Sequence, residues 1–308
     1  MAENRQLSVH APRFRPPPGA CDTHIHVFGP AAAYPYSPAR TYTPGDALPA
    51  QAAAMLLALG MDRVVLVQPS VYGADNRRLT DALDELGPRA RGVAVIDVGG
   101  AAAEMACLSA RGIKGARLNA AASARGDARS FARDLDTLCA RVAPEGWHVQ
   151  VHVGPHLLPV LEARAASLPV DVVIDHFGMV PVTANQHLWA LDSLRRLLAT
   201  GKIWIKLSAP YRVCGSDTDF ARVAELARGL IVTNPERVLW GSDWPHTPPH
   251  GRAMDRAATT APFRRVSTGA TLDALAQWTD NPPTRDQILV HNPARLYGFT
   301  AADLPAVQ

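Results

Sequence analysis

The chain has 308 residues, enough for one large domain or two small ones, and its hydrophobic fraction of 47% supports a sizeable core and excludes wholesale disorder. A net charge of +3 without any basic run excludes a nucleic-acid-binding class. Cys21, Cys107, Cys139 and Cys214 show no CxxC spacing, no apolar stretch approaches membrane-spanning length, and the start (Arg15-Pro16-Pro17-Pro18) lacks a signal-peptide core. The expectation is a cytoplasmic protein without membrane contact.

In chain order, β-branched runs fall at residues 20–28, 64–70, 92–98, 113–119, 148–154, 171–178, 202–209 and 237–245. Alanine- and leucine-rich stretches that read as helices lie between them, near 50–60, 77–86, 102–111, 129–143, 156–168, 186–200 and 217–230. Strands alternating with helices imply a parallel sheet, and eight such units suggest a closed (β/α)8 TIM barrel, an α/β fold in a single domain. The competing doubly wound open sheet lacks a GxGxxG fingerprint after the first strand. The expected layout is an extension at 1–15, the barrel at 16–300 and a tail at 301–308. Two long connections, 29–49 and 244–270 (the latter with His246 and His250), would emerge at the C-terminal mouth, where active sites form.

The first strand carries the run Cys21-Asp22-Thr23-His24-Ile25-His26-Val27-Phe28. Residues i and i+2 of a strand share a face, so His24 and His26 should project together, with Asp22 beside them. Polar residues recur at the ends of the later strands: Gln68 and Ser70, Arg117 and Asn119, His152 after Gln150, Asp175-His176, Lys206 and Ser208 before Tyr211 and Arg212, and Asp243. Singly, each has an ordinary explanation, such as a hydrogen-bonded core histidine or a capping aspartate. Together they put four histidines and an aspartate on one rim of a barrel whose interior should be apolar. His148 and Gln150 are given no role, and Asp175 is expected to orient its neighbour His176.

These residues also carry a resemblance. The HxH pair, the histidines of strands five and six and the strand-eight aspartate resemble the amidohydrolase superfamily of metal-dependent TIM-barrel hydrolases. The segments at 17–30, Asp175-His176-Phe177-Gly178, Gly241-Ser242-Asp243-Trp244-Pro245-His246 and His291-Asn292-Pro293-Ala294-Arg295-Leu296-Tyr297 are most similar to its 2-pyrone-4,6-dicarboxylate lactonase family. The resemblance implies hydrolysis of a small anionic lactone, a pyrone dicarboxylate or a muconolactone, in aromatic-compound catabolism. Asp243 would activate water, with His24, His26 and His176 polarising the carbonyl. Arg117 and Arg212 resemble carboxylate-binding arginines, Ser70 and Tyr42 further polar contacts, and Arg125 stands in for a third arginine at altered spacing.

In the superfamily, the residues matching His24, His26, His152 and Asp243 typically bind one divalent metal. Their three imidazoles and one carboxylate suit Zn2+. The pyrone lactonase itself works without metal and has a tyrosine where this chain has His152, so a metal-free mechanism stays open. A metal-dependent non-oxidative decarboxylase, a lactone isomerase and a non-catalytic binding barrel remain alternatives. The only expected partner beyond the substrate is a second copy of the chain, as a monomer or a homodimer.

Overall fold

Eight parallel strands pair in chain order in the computed structural model, which describes residues 10–120, 127–182, 187–248 and 259–304. They are β1 (Cys21–Ile25), β2 (Arg63–Val67), β3 (Ala90–Ala94), β4 (Ile113–Asn119), β5 (His148–His152), β6 (Val172–Ile174), β7 (Ile203–Ser208) and β8 (Val238–Gly241). The ring closes between the first and last strands. Beyond β8, the Asp243 N–H donates to the His24 carbonyl at 2.9 Å and the His26 N–H to the Trp244 carbonyl at 2.8 Å. The fold is a TIM barrel, as expected.

The amphipathic pattern of the helices explains why they coat the ring. In the helix Ala128–Val142, Phe131, Leu135, Leu138 and Val142 fall on one face and are buried against the strands. Asp127 starts it by accepting from the N–H groups of Arg129 and Ser130. The sequence reading found seven helices; Thr268–Trp278, capped by Ser267, is a further one. Inside the barrel, Cys21, Val65, Val67, Val93, Val173 and Leu239 pack against Tyr297 and Phe299. The closing Asn292–Tyr297 motif is therefore structural: Asn292 donates to the Pro235 and Val238 carbonyls at 2.7 Å, anchoring the start of β8, and Tyr297 fills the barrel interior.

Two departures from a regular strand shape the mouth. The pairing of β1 with β2 shifts register between Asp22 and Ile25. This irregularity changes the phase of the strand, so Cys21 and His24, three residues apart, both face inward. Asp22 consequently does not join the histidines; its Oδ1 accepts from the N–H groups of His24 and Ser242 and ties β1 to the end of β8. On the opposite side β6 stops at Ile174, four residues early, because His176, Phe177, Gly178 and Met179 all take positive φ. Above the mouth the two long connections are stitched together, Thr43–Pro44 pairing with Thr260–Ala261.

Closure demands a glycine at one point. A Cβ on Gly241 would lie 2.7 Å from His24 Cβ and 2.9 Å from its nitrogen. Gly241→Ala should therefore prise the seam apart and cost about 1–3 kcal/mol, read as a lower urea midpoint. An unchanged midpoint would show that the seam tolerates the extra carbon.

Candidate active site

The seam brings the first-strand histidines against Asp243. Asp243 takes φ 63°, and His176 and Ala209 on the adjacent strand ends are also left-handed. Strained backbone of this kind persists where the surrounding packing over-determines it, and it clusters at functional sites. The result is convergence: the Nε2 atoms of His24, His26 and His176 lie 3.6, 3.5 and 3.9 Å from Asp243 Oδ1. All four side chains are buried.

Contacts at the other ring nitrogens position the imidazoles. His26 Nδ1 lies 2.7 Å from the Val67 carbonyl, which can only accept, so Nδ1 carries a proton and donates to it. His24 Nδ1 lies 3.3 Å from Asp175 Oδ1 and 3.5 Å from Lys206 Nζ, an acceptor and a donor that together place the ring without selecting its tautomer. Burial lowers His24 to about 3, against the pull of Asp175. Burial also holds His176 and His152 well below the usual histidine range, with Asp243 opposing it at His176. His24, His152 and His176 are therefore neutral near pH 7.

Asp243 is ionised. Burial pushes its carboxyl up, but the Arg212 guanidinium outweighs that and holds it well below the ordinary range. Its two oxygens have separate tasks. Oδ2 accepts from the Tyr211 hydroxyl at 2.6 Å and from Arg212 at 3.0 and 3.1 Å. Oδ1, turned to the imidazoles, has no hydrogen-bond partner among the described residues, nor does His24 Nε2.

Beneath the histidines runs a polar floor, made of residues that the sequence reading named without joining them. Lys206 is fully buried and donates to the Thr23 carbonyl and to Gln150 Oε1, both at 2.8 Å. Gln150 in turn donates to Asp175 Oδ2 at 3.1 Å. Burial brings the Lys206 ammonium down to about 8, against the pull of Asp175. Asp175 thus serves His24, not its neighbour His176, whose Nδ1 bonds Ser208 Oγ at 2.8 Å. Adjacency misled here because the left-handed turn at His176 swings its ring away from the preceding side chain.

The substrate-facing expectations divide. Ser70, Tyr42, Arg117 and Arg212 line one pocket with His26, His152, His176 and Asp243. Arg117 is buried and donates to the Gln68 carbonyl at 3.0 Å, with Asp175 Oδ2 3.7 Å away. Arg212 is committed to Asp243 and to Thr247 Oγ1 at 2.8 Å, so its first task is to hold the carboxylate. Tyr211 and Thr247 hold Asp243 and Arg212; the sequence reading named Tyr211 without a role and did not reach Thr247, which stands out neither by type nor by spacing. Arg125 and His250 lie outside the described residues.

The donor set fits a divalent cation. Two bonds of about 2.1 Å at the tetrahedral angle separate their donor atoms by roughly 3.4 Å. His24 Nε2 and His26 Nε2 stand 3.6 and 3.5 Å from Asp243 Oδ1, and the three atoms form a compact cluster. His152, expected as a fourth member, is not in that cluster: its ring stands edge-on to His176 with centroids 5.2 Å apart. His176 is the imidazole next nearest to Asp243 Oδ1.

A (β/α)8 barrel with imidazoles and an ionised aspartate gathered at its C-terminal mouth is the architecture of a hydrolytic barrel enzyme. The chain belongs to the amidohydrolase family, whose model matches residues 21–299. It is 34% identical to a 2-pyrone-4,6-dicarboxylate hydrolase of Comamonas testosteroni, over 93% of this chain and 92% of the relative. It is 33% identical to a 4-sulfomuconolactone hydrolase of Rhizobium radiobacter, over 92% of each. A solved Pseudomonas putida structure, described as a putative 2-pyrone-4,6-dicarboxylic acid hydrolase, superposes with TM-score 0.71 at 30% identity, covering 91% of this chain and 97% of that one.

The commitment of Arg212 can be tested. Arg212→Met leaves Asp243 buried without its cation and should cost about 3–5 kcal/mol, seen as a lower denaturant midpoint at pH 7. An arginine that served substrate alone would leave the midpoint in place and raise only KM.

Proposed function

We propose that the chain hydrolyses a small anionic lactone of aromatic-compound catabolism in the cytoplasm. The observation that carries this is the convergence of three imidazole Nε2 atoms on the unpartnered Oδ1 of Asp243, in a pocket shared with the buried Arg117. Names of full-length relatives favour a lactone over other hydrolysable groups. All four cysteines are free, in keeping with a reducing compartment.

In this proposal Asp243 Oδ1 accepts a proton from water as its oxygen attacks the lactone carbonyl carbon. The ring C–O bond then breaks, and Asp243 returns that proton to the departing ring oxygen. His176 faces the carbonyl oxygen and shapes the pocket where negative charge develops. Arg117 receives a substrate carboxylate, with Ser70 and Tyr42 as polar walls; Tyr211 and Arg212 hold Asp243 in its ionised state. His24, His26 and Asp243 would hold one divalent ion, zinc by the nitrogen and oxygen donors present, which supplies carbonyl polarisation when bound. His152 is assigned to the pocket wall.

Ring opening of 2-pyrone-4,6-dicarboxylate, followed by ultraviolet absorbance, is the direct test, with a muconolactone second. Asp243→Asn should lower kcat by about 10²–10⁴-fold while substrate affinity stays within a few-fold. Product NMR separates hydrolysis from a shifted lactone or a decarboxylated ring. The proposal fails if neither lactone is opened.

The metal assignment has its own readout. Protein purified without chelator from zinc-supplemented cells should carry close to one zinc per chain, and His24→Ala with His26→Ala should abolish it. A ratio near zero in the unsubstituted protein overturns the assignment.

A further inference from the structure

The space directly over Asp243 is small. The pocket lined by His26, His176, Arg117 and Asp243 has a free volume of about 10 Å³, the room of a single water. Beside it opens a cleft of about 600 Å³. The two share Ser70, Arg117 and Asn119 as walls, so they adjoin.

The cleft differs from the catalytic pocket in chemistry. Ile96 and Val98, from the connection after β3, Leu118 on β4 and Leu138 on the helix Ala128–Val142 give one side of it an apolar lining, and Arg40 and Arg133 also stand on its walls. Val98, on the apolar side, is 45% exposed. At the junction stands Arg117, only 8% exposed, with a buried Nε that has no hydrogen-bond partner among the described residues. Arg212, the other guanidinium of the pocket, is already spent on Asp243.

We infer that this cleft binds an apolar arm of the substrate: the ring presents its carbonyl to Asp243 and one carboxylate to Arg117, while an alkyl or aryl substituent extends past Ser70 and Asn119 to rest against Ile96, Val98 and Leu138. The inference rests on the lactonase proposal for the identity of the ring and adds its substituent. Two features carry it. A six-membered ring cannot fit within the space over Asp243, so the body of any substrate must lie towards the cleft. The other guanidiniums on the cleft wall are already engaged, Arg133 by Asp134 and Arg40 by Thr43 Oγ1 and the Ser37 carbonyl, so the surface the cleft leaves for a ligand is its apolar side.

Binding tests the arm without requiring turnover. Benzoate and biphenyl-4-carboxylate share a carboxylate for Arg117 and differ by one phenyl ring. Titrated calorimetrically into the intact protein, the biphenyl acid should bind at least about tenfold more tightly, as burial of a phenyl group against an apolar wall implies. Val98→Trp and Thr137→Trp both place an indole in the cleft from exposed positions, so folding should survive. Each should bring the biphenyl acid to within about threefold of benzoate, since the added ring removes the area that the phenyl would bury. Equal affinities in the unsubstituted protein, or a biphenyl preference that both variants leave intact, overturns the inference. A biphenyl preference lost in the variants, in a protein that opens neither test lactone, would leave the cleft standing and remove the lactonase proposal alone.

Discussion

The rest of the site depends on the pair of backbone hydrogen bonds that closes the barrel, Asp243 N–H to His24 carbonyl and His26 N–H to Trp244 carbonyl. These bonds join the last strand to the first, and the residues they join are the ones whose side chains meet at the mouth. The separation of Asp243 from the two histidines is therefore fixed by closure and register, not by side-chain freedom. Side chains on such a frame need little reorganisation to act, which is where preorganised polar sites gain most. The opposing term is local strain, visible in the left-handed Asp243, His176 and Ala209. Each such residue costs of order 1–3 kcal/mol, and tight surroundings must hold it; the close approach of Gly241 to His24 shows how tight they are.

Two buried carboxylates define the electrostatics, and each has its own cation. Asp243 pairs with Arg212 at the rim; Asp175 shares the floor with Lys206 and Gln150. An isolated ionised carboxylate in such a place would neutralise itself by a pKa shift, so the cations keep both sites anionic and their acceptors fixed. The pairing is uneven by design of the contacts: Tyr211 and Arg212 saturate one oxygen of Asp243 and leave the other for chemistry. With both buried carboxylates served, Arg117 is the remaining guanidinium at the pocket, its nearest carboxylate oxygen 3.7 Å away. In the proposed function an anionic substrate would complete its coordination.

What could be read from the sequence followed from local pattern. Eight β-branched runs separated by helical stretches implied the barrel, and polar residues at strand ends marked the mouth, because burial and alternation are written residue by residue. His24, His26, His176 and Asp243 do meet. What could not be read was anything decided by tertiary contact. The register shift that removes Asp22 from the histidine face depends on how β1 pairs with β2. The bond between His176 and Ser208 spans 32 positions, and that between Lys206 and Thr23 spans 183. Arg212 was expected at a substrate carboxylate from resemblance alone, and its bond to Asp243 spans 31 positions.

The layout also separates chemistry from recognition. Asp243 and His24 belong to the seam, and the floor under them is built from β5, the end of β6 and β7; substitutions there disturb closure or the buried charge pairs. The walls that would touch the remote part of a substrate come from the connection after β3 and from the helix following β4, which take no part in the seam. Recognition surfaces on connections can change while the scaffold beneath them is kept. Relatives named for a pyrone dicarboxylate and for a sulfonated muconolactone have diverged in ring and in anionic group while both remain lactone hydrolases. A cleft lined by Ile96, Val98, Leu118 and Leu138 lies on the side of this barrel where such divergence leaves the seam untouched.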